Sequence, residues 1–576
     1  MITGISVLLF GCGGGDGNEA VDLTHEGAGG IYYGEIFKFN EVENFRHLYP
    51  HNVTEAVSMR IVSQIYEGLV KFDQSNIDDL VPGIAERWEV NPDATKFTFH
   101  LKKGITFHDD PCFPNGKGRE VTATDVKYCF DLLCTESPDN QMFWLFKDRV
   151  KGANAHYEAS KVGKAPAGGV EGVRILNDST VEIELDIPFG GFLKLLATPG
   201  GYIFPKEAVE TYGDDLRVKA VGTGPFTIRK VSEGDVVILQ RNPNYWQFDE
   251  YGNQLPYLDG IKITFQKEKK TELNQFPDNL HMVYQLPIEN INEVLGDFET
   301  ALQGGNEPFQ MQHTASLSTQ FYGFLHSNGV MQDVRVRKAF NMAIDREELV
   351  TYILRGEGIA AEGGVVPPSF PTYPSDEISG YEFNPEEAQR LLAEAGYPGG
   401  RGLEGLTLQL NSGGTINEKV AQNLQKMFET NLGVTVQLNV QPLSQHYQMV
   451  ETGSSNFWRA AWLADYPDPE NFLYIFHSKH VPDSIEGRSY LNPFRYSSAR
   501  FDSLYDAAMA EPENDRRMKL LAMADQQMID DAAVMPIYYD EVIRLVNSRV
   551  QNFPINTMEY RDFTRVWFEK LEETEE

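Results

Sequence analysis

Alternation between apolar and polar residues predicts several half-buried β-strands. The clearest runs are residues 97–101, 181–187, 406–410 and 434–440, in which every second residue is apolar. Successive side chains of a strand point to opposite faces, so this pattern buries one face and leaves the other in water. In residues 181–187 all the polar positions are acidic, which predicts a charged outer face.

Apolar residues at helical spacing, bounded by capping residues, predict four helices. The best marked begins at Asn384-Pro385, runs through Leu392 and ends at Gly396, with a proline beyond. Asn satisfies free N–H groups at a helix start, Pro fits the first turn, and Gly commonly ends a helix. The other three predicted helices are 123–134, capped by Thr122, then 335–354 and 516–529. Because strands and helices mix throughout, the predicted class is α/β or α+β.

Size and charge narrow the possible functions. The chain has 576 residues, which predicts two or three domains, and 41% hydrophobic residues supply their cores. The formal net charge is −34, and the acidic residues are spread along the chain. Such a charge repels nucleic acid and anionic membrane surfaces, and no basic run compensates for it. We therefore expect a soluble body with an acidic surface and no nucleic-acid partner.

The first residues resemble a bacterial lipoprotein signal. An apolar run, Ile5 to Phe10, leads to Gly11 and Cys12, and a glycine-rich polar tether follows. In such signals the chain is cut before the cysteine, whose sulfur carries lipid. The run is short and lacks a basic start, so the alternative is a disordered tail with an unmodified cysteine. No later stretch reaches the ~20 apolar residues of a membrane helix, so we expect the lipid on Cys12 to be the only membrane anchor.

Three further cysteines lie close together in the sequence. An exported protein can form disulfides, so we expect Cys112 to pair with Cys129 or Cys134, which leaves one buried free thiol. The cysteine spacing matches no zinc-finger pattern, and the twelve histidines are scattered. We therefore expect no metal site.

The sequence contains none of the common catalytic motifs. It has no Gly-x-Ser-x-Gly elbow, no P-loop and no His-Glu-x-x-His. Gly222-Thr223-Gly224-Pro225 lacks the third glycine of a dinucleotide loop and leads into a strand-like segment, so we interpret it as a turn. We expect a protein that uses no cofactor and is not an enzyme.

A series of short motifs in a fixed order resembles a known family. The motifs are residues 65–70, 80–88, 97–104, 122–126, 222–226, 241–246, 333–339 and 343–346. They include Gly222-Thr223-Gly224-Pro225-Phe226 and Arg241-Asn242-Pro243-Asn244-Tyr245-Trp246. Together they resemble the peptide/nickel class of bacterial extracellular solute-binding proteins, and most of all the oligopeptide-binding proteins of ABC importers.

This resemblance implies a periplasmic-binding-protein type II-like α/β fold, with two lobes, a hinge and an additional subdomain. The implied organisation is a signal and tether over 1–24, lobe I over 25–79, 204–319 and 544–576, the additional subdomain over 80–203, and lobe II over 320–543. The ligand would lie in the cleft and be enclosed when the lobes close. A peptide suits such a cleft because strand edges can pair with its backbone groups.

The resemblance also implies ligand-binding residues. In oligopeptide-binding relatives the residue matching Asp465 binds the α-ammonium group of the peptide, and the arginine matching Arg459 can meet its C-terminal carboxylate. An aspartate supplies the counter-charge that a buried ammonium group needs. The other implied contacts are a strand through Ala461 and Leu463, a cleft wall at Trp462, a second strand edge at Glu67, Gly68 and Leu69, and the strand end at Asn411.

Structural alternatives and departures from the family accompany these assignments. The alternative for Asp465 is a turn acid beside the helix start at 468–471, and the alternative for Arg459 is a structural ion pair. Some relatives carry a histidine after the strand near Asn411, and one has a half-cystine at the position of Leu463. This chain has neither, and an insert at 110–119 lengthens one loop, so the peptide length stays open.

The predicted function is that of a monomeric, lipid-anchored protein of the periplasm or cell surface. It captures short peptides and delivers them to an ABC transporter permease without catalysing a reaction. The alternatives are a receptor of the same fold for an oligosaccharide, a nickel chelate or haem, and an exported hydrolase.

Overall fold

The computed structural model describes residues 25–284, 296, 308–370, 372–412, 415–484, 487–489, 491–511 and 513–570. The predicted signal and tether, with the expected lipid attachment at Cys12, lie outside these residues. Within the described ranges, no helix combines the length and the apolar character needed to cross a bilayer.

The described strands and helices alternate along the chain. The strands are β1 (His25–Glu26), β2 (Tyr32–Tyr33), β3 (Ile36–Glu41), β4 (Glu67–Gly68), β5 (Val70–Phe72), β6 (Leu80–Pro82), β7 (Ala85–Val90), β8 (Lys96–Leu101), β9 (Val173–Asn177), β10 (Thr180–Glu184), β11 (Tyr202–Ile203), β12 (Phe226–Ser232), β13 (Val236–Arg241), β14 (Gly260–Phe265), β15 (Met282–Tyr284), β16 (Phe309–Phe324), β17 (Ile359–Ala360), β18 (Thr407–Asn411), β19 (Gln437–Gln441), β20 (Phe457–Leu463), β21 (Val534–Asn547), β22 (Val550–Gln551) and β23 (Trp567–Phe568). The helices are α1 (Ala56–Val62), α2 (Ala123–Leu133), α3 (Ala153–Ser160), α4 (Phe192–Leu196), α5 (Lys206–Tyr212), α6 (Lys269–Gln275), α7 (Val334–Met342), α8 (Arg346–Tyr352), α9 (Pro385–Glu394), α10 (Thr415–Leu432), α11 (Leu443–Glu451), α12 (Glu470–Leu473), α13 (Ala499–Ala510) and α14 (Asn514–Asp530).

A mixed central sheet of eleven described strands runs through the protein. Its order is β12-β13-β14-β3-β15-β21-β16-β20-β18-β19, and β17 also pairs with β21. β3 is parallel to β14 and β15, and β18 is parallel to β19 and β20, whereas the other pairs are antiparallel. Parallel neighbours need a crossover connection, and α10 provides one between β18 and β19.

Two long strands, β16 and β21, join the two halves of this sheet. The first half is β12-β13-β14-β3-β15, and the other half is β20-β18-β19. β21 pairs with β15 near its C-terminal end and with β16 along most of its length, whereas β20 pairs with β16 only over residues 318–324. The register between β16 and β21 shifts between Ala315 and Thr319 and again between Gln320 and Phe321. Such shifts bend a strand pair, so the sheet bends where its two halves meet.

A separate antiparallel sheet lies beside the first half of the central sheet. Its order is β7-β8-β10-β9, and α2 packs on β9 and β10. Phe97, Phe99 and Ile183 point from this sheet into the larger of two main apolar cores, which continues to residues 466–476. The second core lies under α7, α9 and α10 on the other half of the central sheet.

The local elements confirm most of the predicted strands and helices. β8, β10 and β18 lie within or close to the three alternating runs 97–101, 181–187 and 406–410. α14 lies on the predicted 516–529 segment. At the start of α9 the side chain of Asn384 accepts a hydrogen bond from the N–H of Glu387, and Thr122 forms a capping box with Asp125 at the start of α2.

The predicted single helix over 335–354 is wrong, because the chain forms two helices there, α7 and α8. Asp345 interrupts the first helix and caps the second, where its Oδ1 accepts a hydrogen bond from the N–H of Glu348 at 2.8 Å. The guanidinium of Arg346 is buried and donates to the carbonyls of Pro536 and Tyr381, which fixes the break. A capping aspartate followed by two glutamates is a helix start in its own right.

The predicted strand over 434–440 is shorter and more exposed than its pattern implied. Val434 and Val436 are buried, but they precede β19, which begins at Gln437. Val440 is 43% exposed. β19 is the last strand of the central sheet, so its outer residues have no neighbouring strand to cover them.

The expected disulfide is wrong, because Cys112, Cys129 and Cys134 are all unpaired. The Sγ atom of Cys129 lies 3.3 Å from both the N and the O atoms of Phe204. Cys134 is fully buried at the end of α2, and burial holds the pKa of its thiol well above the usual value. Thiols in such surroundings are inert packing residues.

Candidate functional site

The strand β20 has one edge that is only partly paired. Its first edge is hydrogen-bonded to β16 from Phe457 to Leu463, whereas β18 meets its other edge at a single residue, Trp458. The carbonyl of Arg459 accepts a hydrogen bond from His446 Nε2 on that second edge. The N–H of Ala464 donates to the carbonyl of Leu317, which belongs to β16, so this group points toward the first edge.

The backbone groups of Ala461 and Leu463 therefore face the edge that β16 does not occupy. Backbone groups of a strand alternate in direction, so residues two and four after Arg459 point the same way as Arg459. The Ala461 side chain is exposed, and that of Leu463 is 42% exposed. This arrangement leaves a short stretch of strand edge available to an extended chain.

Asp465 lies just beyond the end of this edge. Its carboxylate is half-buried, and its Oδ2 accepts one hydrogen bond, from Asn471 Nδ2 at 3.3 Å. No basic side chain among the described residues forms an ion pair with it. Burial raises the pKa of Asp465 to about 6, although the hydrogen bond from Asn471 opposes this shift. A half-buried carboxylate without an ion-pair partner favours the binding of a cation.

The segment after Asp465 carries two further carboxylates, and both have arginine partners. Asp468 accepts two hydrogen bonds from Arg517, at 2.7 and 2.9 Å. Glu470 is fully buried and accepts a hydrogen bond from Arg149 at 3.2 Å. The Oδ1 atom of Asp468 also accepts a hydrogen bond from the N–H of Glu470, the first residue of α12. Within this segment the charge of Asp465 is therefore the one left without a counter-ion.

Asn471 connects Asp465 to Trp462. Besides its bond to Asp465 Oδ2, its own Oδ1 accepts from the backbone N–H of Asp465 at 3.1 Å and from Trp462 Nε1 at 2.8 Å. Asn471 is 3% exposed and Trp462 is half-buried. Sequence reasoning noted Asn471 only as part of a helix start, and the spacing of six residues from Asp465 gives no further signal.

Arg459 is held by neutral side chains. Its Nη1 donates to Asn411 Oδ1 at 2.9 Å, and its Nη2 donates to Gln320 Oε1 at 2.5 Å. Gln320 in turn donates to Asp540 Oδ2 at 2.8 Å. No carboxylate of the described residues lies within ion-pair distance of Arg459, which contradicts the alternative of a structural ion pair.

A small, partly open pocket lies beside Arg459. Among the residues that line it are Gln320, Asn417, Arg459 and Tyr538. The structure therefore brings Asp465, Trp462, Ala461, Leu463, Arg459 and Asn411 together along or beside one strand. Gln320 is a further member of this group that sequence reasoning missed, because it lies 139 positions before Arg459.

The second predicted edge, at Glu67–Leu69, has several internal hydrogen bonds. The carboxylate of Glu67 is buried and accepts hydrogen bonds from Thr223, Tyr245 and Trp246 at 2.8 to 3.0 Å. The carbonyl of Gly68 accepts from the N–H of Ile84, and that of Leu69 accepts from Gly83 and Ala85. Leu69 is fully buried, and β4 pairs with β11. These contacts fix the Glu67 side chain and two of the backbone carbonyls inside the protein, and contact of this strand edge with a ligand stays a prediction.

Comparisons with known proteins identify the family of the chain. Residues 79–482 match the model of the bacterial extracellular solute-binding proteins, family 5. The periplasmic oligopeptide-binding protein OppA of Salmonella typhimurium is 28% identical over 525 residues, which cover 89% of each chain. Heme-binding protein A of Haemophilus influenzae is 25% identical over 520 residues, again 89% of each chain.

A solved structure shows the same fold. The periplasmic binding protein DppA of Helicobacter pylori, in complex with the peptide STSA, superimposes with a TM-score of 0.77 and 23% identity, covering 93% of this chain and 99% of that one. The fold is therefore the periplasmic-binding-protein type II-like α/β fold that the motifs implied. The family model covers most of the chain, and the chain belongs to the bacterial extracellular solute-binding proteins of family 5.

Proposed function

We propose that this protein captures short peptides in a cleft beside β20 and delivers them to an ABC import permease. The observation that carries the proposal is Asp465, a half-buried carboxylate that has no ion-pair partner among the described residues and lies at the end of a partly paired strand edge. A peptide with a free amino terminus supplies both the missing cation and a backbone that can pair with the edge. Relatives named as oligopeptide- and dipeptide-binding proteins support the same ligand class.

The remaining site residues have complementary roles in this proposal. The backbone groups of Ala461 and Leu463 pair with the peptide, which gives affinity without selecting a sequence. Trp462 forms part of the cleft wall. Arg459, held by Asn411 and Gln320 and without an ion pair among the described residues, meets a carboxylate of the ligand.

We propose that the lobes follow the division expected from the sequence, with the hinge in β16 and β21. Lobe I comprises 25–79, 204–319 and 544–576, the additional subdomain 80–203, and lobe II 320–543. The support is that these two long strands belong to both halves of the central sheet and bend between them. Arg149 and Glu470, which lie in different units of this division, form an ion pair that holds the units together.

Lipid attachment at Cys12 and a periplasmic or cell-surface location belong to the same proposal. They rest on the apolar run before Cys12 and on the relatives named as periplasmic. We expect the full chain expressed in a bacterial host to incorporate labelled palmitate and Cys12→Ala to lose that label. A wild-type chain that stays unlabelled would remove the anchor but not the binding function.

Calorimetry of the refolded, ligand-free protein tests the ligand class. The titrants are a set of di- to pentapeptides, the same peptides with acetylated N-termini, an oligosaccharide and haem. We expect the free peptides to bind, and acetylation or Asp465→Asn to weaken binding by about 2–5 kcal/mol. The matched control is Asp93→Asn, at an exposed position, which should leave binding unchanged.

Two outcomes would contradict the proposal. Equal affinity for acetylated and free peptides would remove the role of Asp465. Tighter binding of haem or the oligosaccharide than of any peptide would replace the ligand class. Mass spectrometry of the peptides after incubation separates binding from hydrolysis, because a binding protein returns them uncleaved.

A further inference from the structure

The amide of Asn471 makes three contacts at the proposed ammonium site. It donates to the carboxylate of Asp465, and it accepts from the backbone of Asp465 and from the indole of Trp462. The backbone N–H of Asn471 is itself bonded to the carbonyl of Asp468 at 3.0 Å, so the residue is fixed on the chain. One buried side chain thus sets the position of both the carboxylate and the neighbouring aromatic wall.

Asn471 is also well suited chemically to this place. Its NH2 group donates to the carboxylate while its carbonyl oxygen accepts two other hydrogen bonds, so it satisfies the carboxylate without neutralising it. A lysine or arginine at 471 would bind the carboxylate as a salt bridge and compete with a ligand cation, whereas an aliphatic residue would leave the indole and the backbone N–H unsatisfied. The charged neighbours Asp468 and Glu470 are already paired with Arg517 and Arg149.

We infer that Asn471 is a positioning residue for ligand binding: it orients the Asp465 carboxylate toward the open strand edge and keeps it ionised while leaving its charge available to a ligand ammonium group. The inference rests on the proposed function, because it assumes that a peptide amino terminus is the partner of Asp465. Asn471 does not touch the ligand in this arrangement and acts through Asp465 and Trp462.

The test measures peptide affinity against pH for Asn471→Leu and Asn471→Asp. Leu has a similar size and removes all three hydrogen bonds. Asp keeps the acceptor for Trp462 and replaces the donor by a second carboxylate, which disfavours ionisation of Asp465. Losing a hydrogen bond to a charged group corresponds to about a tenfold to hundredfold weaker affinity at about pH 7.5. We also expect the pH midpoint of binding to rise by about one unit in both variants, because either change disfavours ionised Asp465.

The control is Asn492→Leu. Asn492 is another fully buried asparagine, and its amide donates to the carbonyls of Phe476, His477 and Tyr496. It is expected to lose stability without moving the pH midpoint of binding, since it contacts neither Asp465 nor Trp462. A purely structural loss in the Asn471 variants would look like this control.

The outcomes separate this inference from the proposed function. If the wild-type protein does not distinguish free from acetylated peptides, the proposed function fails. If the wild type does distinguish them but both Asn471 variants keep its pH midpoint and discrimination, Asn471 has no positioning role. Should the leucine variant fail to fold, the aspartate variant, which keeps the shape of the side chain, decides the question.

Discussion

Replacing Asp465 with Asn is expected to stabilise the ligand-free protein at neutral pH. Burial raises the pKa of Asp465 from 3.8 to about 6, so the ionised carboxylate is less favourable in the folded chain than in the unfolded one. Asparagine has nearly the same shape, and its side-chain oxygen can still accept the hydrogen bond from Asn471. The substitution therefore removes the cost of the buried charge without opening a cavity.

The size and sign of this effect follow from the raised pKa. One pH unit between the folded and unfolded pKa values corresponds to about 1.4 kcal/mol, which sets an upper limit near 3 kcal/mol for Asp465. Because the side chain is only half-buried, solvent screening reduces the expected gain to ~1–2 kcal/mol at about pH 8. The folded state binds the extra proton, so the wild type gains stability as the pH falls through about 6 toward about 4. The gain from the substitution should fade over the same range.

Urea unfolding of refolded, ligand-free protein at about pH 8 and about pH 5 measures both effects. The matched control is Asp93→Asn, which is exposed and should show no gain at either pH. A variant at position 465 that is less stable than the wild type at the higher pH, or equally stabilised at both, would refute the reasoning. The ionised carboxylate of Asp465 would then not destabilise the folded protein.

Three further predictions test the surroundings of the site. Glu470→Gln leaves Arg149 buried without a counter-ion and should destabilise the protein by about 3–5 kcal/mol in urea unfolding. Adding Arg149→Met should recover part of this loss. An unchanged unfolding midpoint in the single variant would disprove the buried pair. Cys129 should resist alkylation at about pH 8 in the native state and react only on unfolding, because burial raises the pKa of its thiol. Peptide mass spectrometry maps the labelled cysteine, and rapid labelling of the native protein would show that the thiol is accessible. Gly224→Ala should cost about 1–3 kcal/mol in thermal or urea unfolding, because a Cβ atom would lie 2.7 Å from backbone atoms of Ile65; wild-type stability would mean that the turn can move aside.

Local elements were predictable where the decisive contacts are close in sequence. The start of α9 depends on a bond between Asn384 and Glu387, and the start of α2 on Thr122 and Asp125, each pair three residues apart. The break between α7 and α8 had a comparable signal at Asp345, but the apolar period continued across it. The prediction followed the long amphipathic pattern and overlooked the helix cap at Asp345.

The candidate site was predictable in part. The resemblance placed Asp465 and Arg459 on one segment, and the structure adds that both are held by amide side chains and that neither has an ion-pair partner among the described residues. The resemblance could not identify Gln320, which reaches Arg459 only because β16 and β20 are paired. Nor could it identify the three donors to the Glu67 carboxylate, because Thr223, Tyr245 and Trp246 come from a distant part of the chain.

The order of motifs, the caps and the alternating runs determined the family, the fold class and most secondary structure, because these depend on neighbouring residues and on patterns shared across the family. Tertiary structure alone decided which charges are neutralised and which stay open. Glu470 has Arg149, Asp468 has Arg517, and Asp465 has neither. The reason is physical: the state of a carboxylate depends on its burial and on the few groups within hydrogen-bond distance, and packing brings those groups from remote parts of the chain.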